Sequence, residues 1–439
     1  MSGLAISFLM FGALVGLLVL AVPVAVALLI VGSVGYVMVS GWGPLFNYLS
    51  TAPYYQTATY SLSVIPLFVL MGQFASSSGL SAGLFNAANA WLGHRRGGVA
   101  MAAIGACAAF GSICGSSLAT AATMAQVSLP EMKRFKYSGA LATGTLAAGG
   151  TLGILIPPSV ILVIYAILTE QSIGKLFLAA IVPGVLAAIG YMLAISIYVR
   201  LNPKSGPVGL KLDLGQRFKA LGEVLPVAVV FVVVMGGMYG GYFTPTEGAA
   251  VGAAATGLIA VVHGGLRWKG LVECLLGTGK LTGMIFLILI GADLFNSFLA
   301  TTQMPNTAAA AIAGSGLSPM VILCLILLLY LVLGCFMDSM SMILITIPVI
   351  FPIIMGLDFG MTPEQTAIWF GIVVLITVEV GLITPPFGLN VFVINSLSDG
   401  VPLSESFRGV MPFLISDFLR VVMLVAFPLL SIGLLPLLD

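Results

Sequence analysis

The sequence predicts an all-α polytopic membrane protein built from two inverted repeats, and three observations carry that prediction. The first is composition: 60% of the 439 residues are hydrophobic and 7% are charged, with a mean hydropathy of +1.17. Charged residues make up about a quarter of an ordinary soluble domain, and the alternating pattern of a membrane β-barrel is absent. The second is a pair of matching motifs. Gly153-Ile154-Leu155-Ile156-Pro157-Pro158 and Gly381-Leu382-Ile383-Thr384-Pro385-Pro386 carry Gly, Pro and Pro at equal spacing, and each follows a short polar stretch set in apolar sequence. The third is charge placement. With Met1 and Asp439 both outside, every Lys and Arg except Lys175 and Arg420 falls on the inner side, as the positive-inside rule requires. Each half then crosses an odd number of times, which inverts one half relative to the other.

The first repeat is expected at residues 1–200. Leu4 to Leu20 and Val22 to Val39 are apolar runs broken at Pro23. The start, Met-Ser-Gly-Leu, has no basic region before its apolar run, so it reads as a first transmembrane helix and not as a signal peptide. Gly41 to Pro53, with Trp42 and Tyr48, suits an outer interfacial segment. Tyr60 to Ser77 crosses again, and Leu84 to Trp91 suits a helix lying along the inner surface. A re-entrant hairpin follows at 97–131. Its two arms are each shorter than the about 20 residues that a crossing needs, and Arg95, Arg96, Lys133, Arg134 and Lys136 flank it on both sides. Its tip is Gly111 to Ser117. The segment 137–168 is too long for one straight crossing. Pro157 and Pro158 remove donors at its middle, which predicts a discontinuous helix with free carbonyls at the break. Ile173 to Tyr198 returns to the inside.

Residues 201–222 form the one hydrophilic linker, predicted to be cytoplasmic. The second repeat, 223–439, follows the same plan. Leu225 to Met238 and Gly248 to Val262 cross, Leu266 to Leu276 is interfacial, and Leu281 to Leu299 crosses. A second hairpin at 317–355 has its tip at Gly334 to Met340 and carries no Lys or Arg on its flanks. A second broken helix spans 366–397, and Val410 to Leu435 closes the chain.

Several function classes are excluded. A net charge of +1 with no basic tract argues against nucleic acid or an acidic partner. The five cysteines lack metal-ligand spacing and read as small core residues. His94 and His263 lie far apart, which leaves little material for a zinc site or a histidine-based catalytic triad.

Paired broken helices in inverted repeats are the architecture of secondary transporters, with substrate and ions bound near the midplane. Helix N-termini offer N–H groups to an anion, and unwound carbonyls and hydroxyls offer oxygen to a hard cation such as sodium. Substrate-facing candidates are Ser116, Ser117, Thr120, Ser339 and Asn390. Sodium candidates are Ser112, Gly115 and the backbone from Thr151 to Ile156 in the first half, and Gly334, Asp338, Gly381 and Thr384 in the second. Asp338 is a carboxylate at depth, where charge is expensive. Its possible roles are cation ligand, proton carrier, or cap of the helix that starts at Ser339. Asp293 and Glu379 are also at depth, either as ligands or as structural groups paired with Asn296 or a hydroxyl, and Asp417 with Arg420 reads as a local ion pair.

The run from Gly111 through Ser159, with Leu129-Pro130-Glu131-Met132, resembles the large membrane subunit (DctM type) of tripartite ATP-independent periplasmic (TRAP) transporters. Thr244-Pro245-Thr246-Glu247 and Gly381 to Asn390 resemble that family's second-half signatures. The resemblance covers essentially the whole chain. It implies an elevator-type transporter of the bacterial inner membrane, with scaffold and transport regions, that imports a small organic anion such as a C4-dicarboxylate or sialic acid. It implies no cofactor beyond sodium as the coupling ion, and no enzyme activity. Its implied partners are a small four-helix membrane subunit, separate from this chain, and a periplasmic substrate-binding protein. No nucleotide-binding P-loop is visible. Two other readings stand beside it: a stand-alone sodium/carboxylate carrier of related architecture, and a membrane-embedded enzyme or channel. No Lys or Arg in either tip or break names the acid.

Overall fold

Proline and glycine set most of the helix boundaries. The computed structural model describes residues 3–20, 22–304, 307, 310 and 316–438. Met1 and Asp439, expected to be periplasmic, lie outside them. Helix α1 (Gly3–Val19) stops before Pro23, and α2 (Val24–Ser40) stops at Gly41, whose φ of 85° no side chain would favour. The aromatic segment forms α3 (Trp42–Ala58), and α4 (Val64–Ser77) and α5 (Leu80–Leu92) follow.

The first hairpin is α6 (Gly98–Cys114) and α7 (Ser117–Arg134), and the first broken helix is α8 (Gly139–Leu155) and α9 (Val160–Leu168), bent by 45° at the break. Helix α10 (Ile173–Leu201) leads to a short amphipathic α11 (Leu214–Leu221), which bends by 44° into α12 (Leu225–Tyr239). Then come α13 (Pro245–Val262) and α14 (Trp268–Thr301). The second hairpin is α15 (Pro319–Gly334) and α16 (Ser339–Met355), and the second broken helix is α17 (Pro363–Gly381) and α18 (Leu389–Leu397). Helices α19 (Leu403–Ala426) and α20 (Leu429–Ile432) end the described chain. Among the described residues, six helices are long and apolar enough to cross a membrane singly, or eight if each bent pair is one span.

Three expectations about elements change. The first tip is not an unwound stretch: α6 runs on through Gly111, Ser112 and Cys114, and only Gly115 and Ser116 interrupt the helices. Small residues do not stop a helix whose neighbours bury it, and it takes the left-handed φ of 64° at Gly115 to turn the chain. The interfacial segment 266–276 and the crossing 281–299 are one helix of 34 residues, because Gly277 and Gly279 weaken a helix without ending it. The last apolar run is divided at Phe427 and Pro428. The hydrophilic linker is tied to the base of the first hairpin: Gly97 N–H donates to Gly206 O at 3.0 Å, Gly209 N–H to Gly93 O at 2.9 Å, and Ser138 N–H to Ser205 O at 3.0 Å.

The molecule's interior centres on α8 and α17, each buried along almost its whole length. Helix α8 packs against α6, α7 and α19, while α17 packs against α15 and α16. Its Ala, Gly and Thr residues let neighbouring backbones come close. On the other side α2, α4, α13 and α14 pack against one another. The two hairpin tips meet α4 and α14 between these groups.

Candidate functional site

A cavity of about 250 Å³ lies where the tips meet that wall. Its tip side is lined by Cys114, Gly115, Ser116 and Ser117 of the first hairpin and by Asp338 and Ser339 of the second. Ile154 and Leu382, one residue beyond each motif glycine, line it from the two breaks. The opposite wall is Val69, Gln73 and Ser76 of α4 with Leu281 and Met284 of α14. The volume is a little under the roughly 300–1,000 Å³ of drug-sized ligand sites, so the cavity suits a smaller molecule.

Two helix N-termini open here, and they are not equivalent. At the start of α7, Ser116 caps with its hydroxyl, which accepts Ala119 N–H at 3.4 Å. No carboxylate occupies that end, so its partial positive charge is free for an anion. At the start of α16, Asp338 is the cap: one carboxylate oxygen accepts Ser341 N–H at 3.1 Å and the other accepts the Ser341 hydroxyl at 2.5 Å. That end already holds its anion, and the half-buried carboxylate faces the cavity as a cation-attracting group.

Five candidates therefore share one space: Gly115, Ser116, Ser117, Asp338 and Ser339. The others lie behind it. Ser112 donates to Ala109 O within α6 at 2.8 Å. Thr120 is fully buried, and its hydroxyl makes no hydrogen bond, with the Cys114 thiol as a polar neighbour. Asn390 is also fully buried and donates to the Ser117 hydroxyl at 2.7 Å and to Ala147 O at 3.2 Å, so it supports the first tip from the second break. Thr384, just past the end of α17, donates to Val380 O of that helix at 2.6 Å. Ile156 N–H closes α8 on Leu152 O at 3.0 Å.

The motif glycines are contact points. A Cβ on Gly111 would lie 2.6 Å from Gly153 Cα, and one on Gly381 would lie 2.6 Å from Gly334 Cα. Each tip helix thus touches the backbone of its broken helix just before the Pro-Pro step. Thr151 belongs to a separate buried network. Its hydroxyl donates to Ala148 O at 2.7 Å and lies 3.0 Å from the Tyr191 hydroxyl, which donates to Asp417 at 2.8 Å. Arg420 holds the other oxygen of Asp417 at 2.8 Å. Asp293 accepts a hydrogen bond from Tyr48, and the carboxylate of Glu379 is buried without a hydrogen-bond partner.

Sequence reading missed the α4 and α14 wall. Gln73 was its one signal, a lone amide inside the apolar run Tyr60 to Ser77. The α14 residues are apolar and gave none.

Residues 11–430 match the family described as "Tripartite ATP-independent periplasmic transporter, DctM component". The C4-dicarboxylate TRAP transporter large permease protein DctM of Pseudomonas aeruginosa is 38% identical, over 85% of this chain and 86% of that protein. The sialic acid TRAP transporter large permease protein SiaM of Vibrio cholerae is 32% identical over 94% of each. Among solved structures, the YdaH transporter of Alcanivorax borkumensis shares the fold, with a TM-score of 0.63 and 16% identity over 87% of this chain and 88% of that one.

Proposed function

The chain belongs to the DctM-component family of tripartite ATP-independent periplasmic transporters, and we propose on that premise that it imports a small organic carboxylate together with sodium, driven by the inward sodium gradient. Membership makes it a multi-pass protein of the bacterial inner membrane and a transport subunit rather than an enzyme. Its proposed partners are a small four-helix membrane subunit and a periplasmic protein that delivers the substrate. The carboxylate class is supported by the C4-dicarboxylate and sialic acid named for the two permeases above.

The observation that carries the reading is the pairing of the two tips across one cavity. The free N-terminus of α7, with Ser116 and Ser117, is the proposed carboxylate seat, completed by Ser339. Thr120 and Asn390 shape it from behind. Asp338 is the proposed sodium ligand nearest the substrate, with Gly334, Gly381 and Thr384 around it. Ser112, Gly115 and the backbone from Thr151 to Ile156 form the proposed second sodium place. A cation beside Asp338 offsets its repulsion of a bound carboxylate, so each ion favours the other's binding. In the proposed elevator cycle the hairpins and broken helices slide as one body against α4 and α14, which line the cavity's far wall.

A helix terminus contributes about 0.3–1 kcal/mol to an exposed anion and about 2 kcal/mol to a partly buried one. One free end alone leaves the site weaker than about millimolar, which a transporter supplied by a high-affinity binding protein tolerates. The test is uptake into liposomes with sodium outside, with and without the small subunit and the binding protein. Uptake is expected only with all components and the gradient, and Asp338→Asn, which still caps a helix, is expected to raise the sodium concentration for half-maximal uptake. Unchanged sodium dependence in that variant would remove Asp338 from the coupling site. Saturable micromolar uptake by this chain alone would favour the stand-alone sodium/carboxylate carrier.

A further inference from the structure

The hydrophilic segment between the halves forms a surface whose chemistry the transport reading does not use. Residues 205–209 lie across the base of the first hairpin: Arg96 pairs with Val208 in antiparallel register, bracketed by the Gly97–Gly206 and Gly209–Gly93 hydrogen bonds. Tyr137 extends the seam, since its hydroxyl donates to Pro207 O at 3.0 Å and accepts Val99 N–H at 3.1 Å. The strap delivers α11 to the side of α5. There Trp91 donates its indole N–H to Arg217 O at 3.3 Å and meets the edge of Phe218 with ring centroids 5.6 Å apart.

This docking gathers positive charge from two distant parts of the sequence. The Trp91–Arg217 and Gly209–Gly93 hydrogen bonds bring Arg217 and Lys211 to the turn that carries His94 and Arg95, and the His94 pKa is lowered first by burial and then by these three cations. The His94 Nδ1 atom is buried with no hydrogen-bond partner. Among the described residues, Arg95, Lys211 and Arg217 form no ion pair. The nearby acids are committed elsewhere: Asp213 caps α11, and Glu223 lies against Gly83 beyond the helix end. Like charges brought together repel, and among the described residues no carboxylate pairs with any of the three.

Next to the cations, α11 has no buried residue at all. Leu214 and Phe218 are 62% and 63% exposed, and Leu210 and Leu221 are exposed as well. Leu214, Phe218 and Leu221 stand at i, i+4 and i+7, which is one stripe of a helix, and Arg217 and Lys219 lie to its two sides. Beyond it the chain bends by 44° into α12, an apolar helix. An apolar stripe edged with basic residues at the end of a membrane helix is the pattern of a segment lying in the headgroup layer.

We propose that Arg95, Lys211 and Arg217 form a binding site for the phosphate headgroup of an anionic phospholipid, whose acyl chains lie along Leu214, Phe218 and Leu221. The lipid supplies a counter-anion and covers the exposed stripe in one step. A free phosphate would supply only the charge, and a protein partner would have to match both.

The experiment uses the full chain in its membrane complex, purified in mild detergent and titrated with phosphatidylglycerol or phosphatidylcholine, with bound lipid counted by native mass spectrometry. Phosphatidylglycerol is expected to be retained preferentially. Each basic residue near an anionic surface is worth about fivefold in binding, so Arg95→Gln/Lys211→Gln/Arg217→Gln is expected to weaken retention on the order of a hundredfold. The charge-preserving Arg95→Lys/Lys211→Arg/Arg217→Lys is expected to keep it. Should the triple variant fail to assemble, Lys211→Gln alone, at an exposed position, is expected to show the fivefold loss. Equal retention of the two lipids, or unchanged binding in these variants, would overturn the proposal. Displacement of the lipid by inorganic phosphate would reassign the site to a free anion, and retention of the small subunit in place of lipid would reassign it to a protein contact.

Discussion

The two breaks share a motif and differ in their surroundings. At the first, Pro157, Pro158 and Ser159 are buried, and at the second Pro385, Pro386 and Phe387 are exposed. The first tip turns in two residues, Gly115 and Ser116, while the second uses Cys335 to Asp338. Helix α9 starts with a capping Ser159, whose hydroxyl accepts Leu162 N–H at 3.4 Å, whereas α18 starts at Gly388 with a φ of 52° and no side-chain cap. The hairpin arms beside the breaks differ as well. Ala, Gly and Ser in α6 and α7 pack flush against α8, while α15 carries Leu and Val side chains that remain exposed. Proline chemistry fixes where a helix breaks; the buried break is the one beside small side chains, and the exposed break is the one beside large ones.

The glycine contacts should separate the two breaks most strongly. Gly111→Ala and Gly381→Ala each drive a methyl into the opposing backbone at 2.6 Å, and backbone cannot swing aside as a side chain can. Overpacking of this kind costs about 1–3 kcal/mol or more. Both variants are expected to lower the thermal unfolding temperature and abolish uptake, while Gly356→Ala, whose nearest contact is 3.4 Å away, leaves both unchanged. A tolerated Gly381→Ala beside a damaging Gly111→Ala would show that the open half yields where the closed half does not.

A smaller effect is expected at the hydrogen bond joining the halves. Asn390 reaches Ser117 at 2.7 Å, and the equivalent place after the first break is Leu162, which has no such group. Asn390→Ala strands two buried polar partners and is expected to cost about 1–3 kcal/mol. A double-mutant cycle with Ser117→Ala is expected to give a coupling of about 0.5–3 kcal/mol. A coupling near zero would mean that the second break does not support the first tip.

The smallest expected effect is at the cap. Ser159→Ala is expected to cost about 0.5–1 kcal/mol of unfolding free energy, at the low end for caps because the bond is long. Phe387→Ala, at the matching position of the second break, removes no cap. An equal loss from both would mean that capping does not distinguish the breaks.

Much of the fold was legible without structure. The apolar runs, the Pro-Pro steps and the flanking basic residues announced membrane helices, two hairpins and two broken helices, because proline lacks an N–H and charge avoids hydrocarbon wherever they occur. The ion pair of Asp417 and Arg420 was also readable, since residues at i and i+3 are neighbours on any helix. Helix rotation was not readable. Where α8 is Ala, Gly and Leu on every side, no polar face says which residues point to a ligand, and so Thr151 met Tyr191 instead of the cavity. The α4 and α14 wall, the linker seam over the first hairpin and the glycine contacts also depended on tertiary structure. Each joins segments far apart in the chain, and apolar or backbone surfaces carry no sequence mark of the partner they will meet. Local chemistry marks the apolar helices and their proline breaks, and packing sets which of their residues share a site.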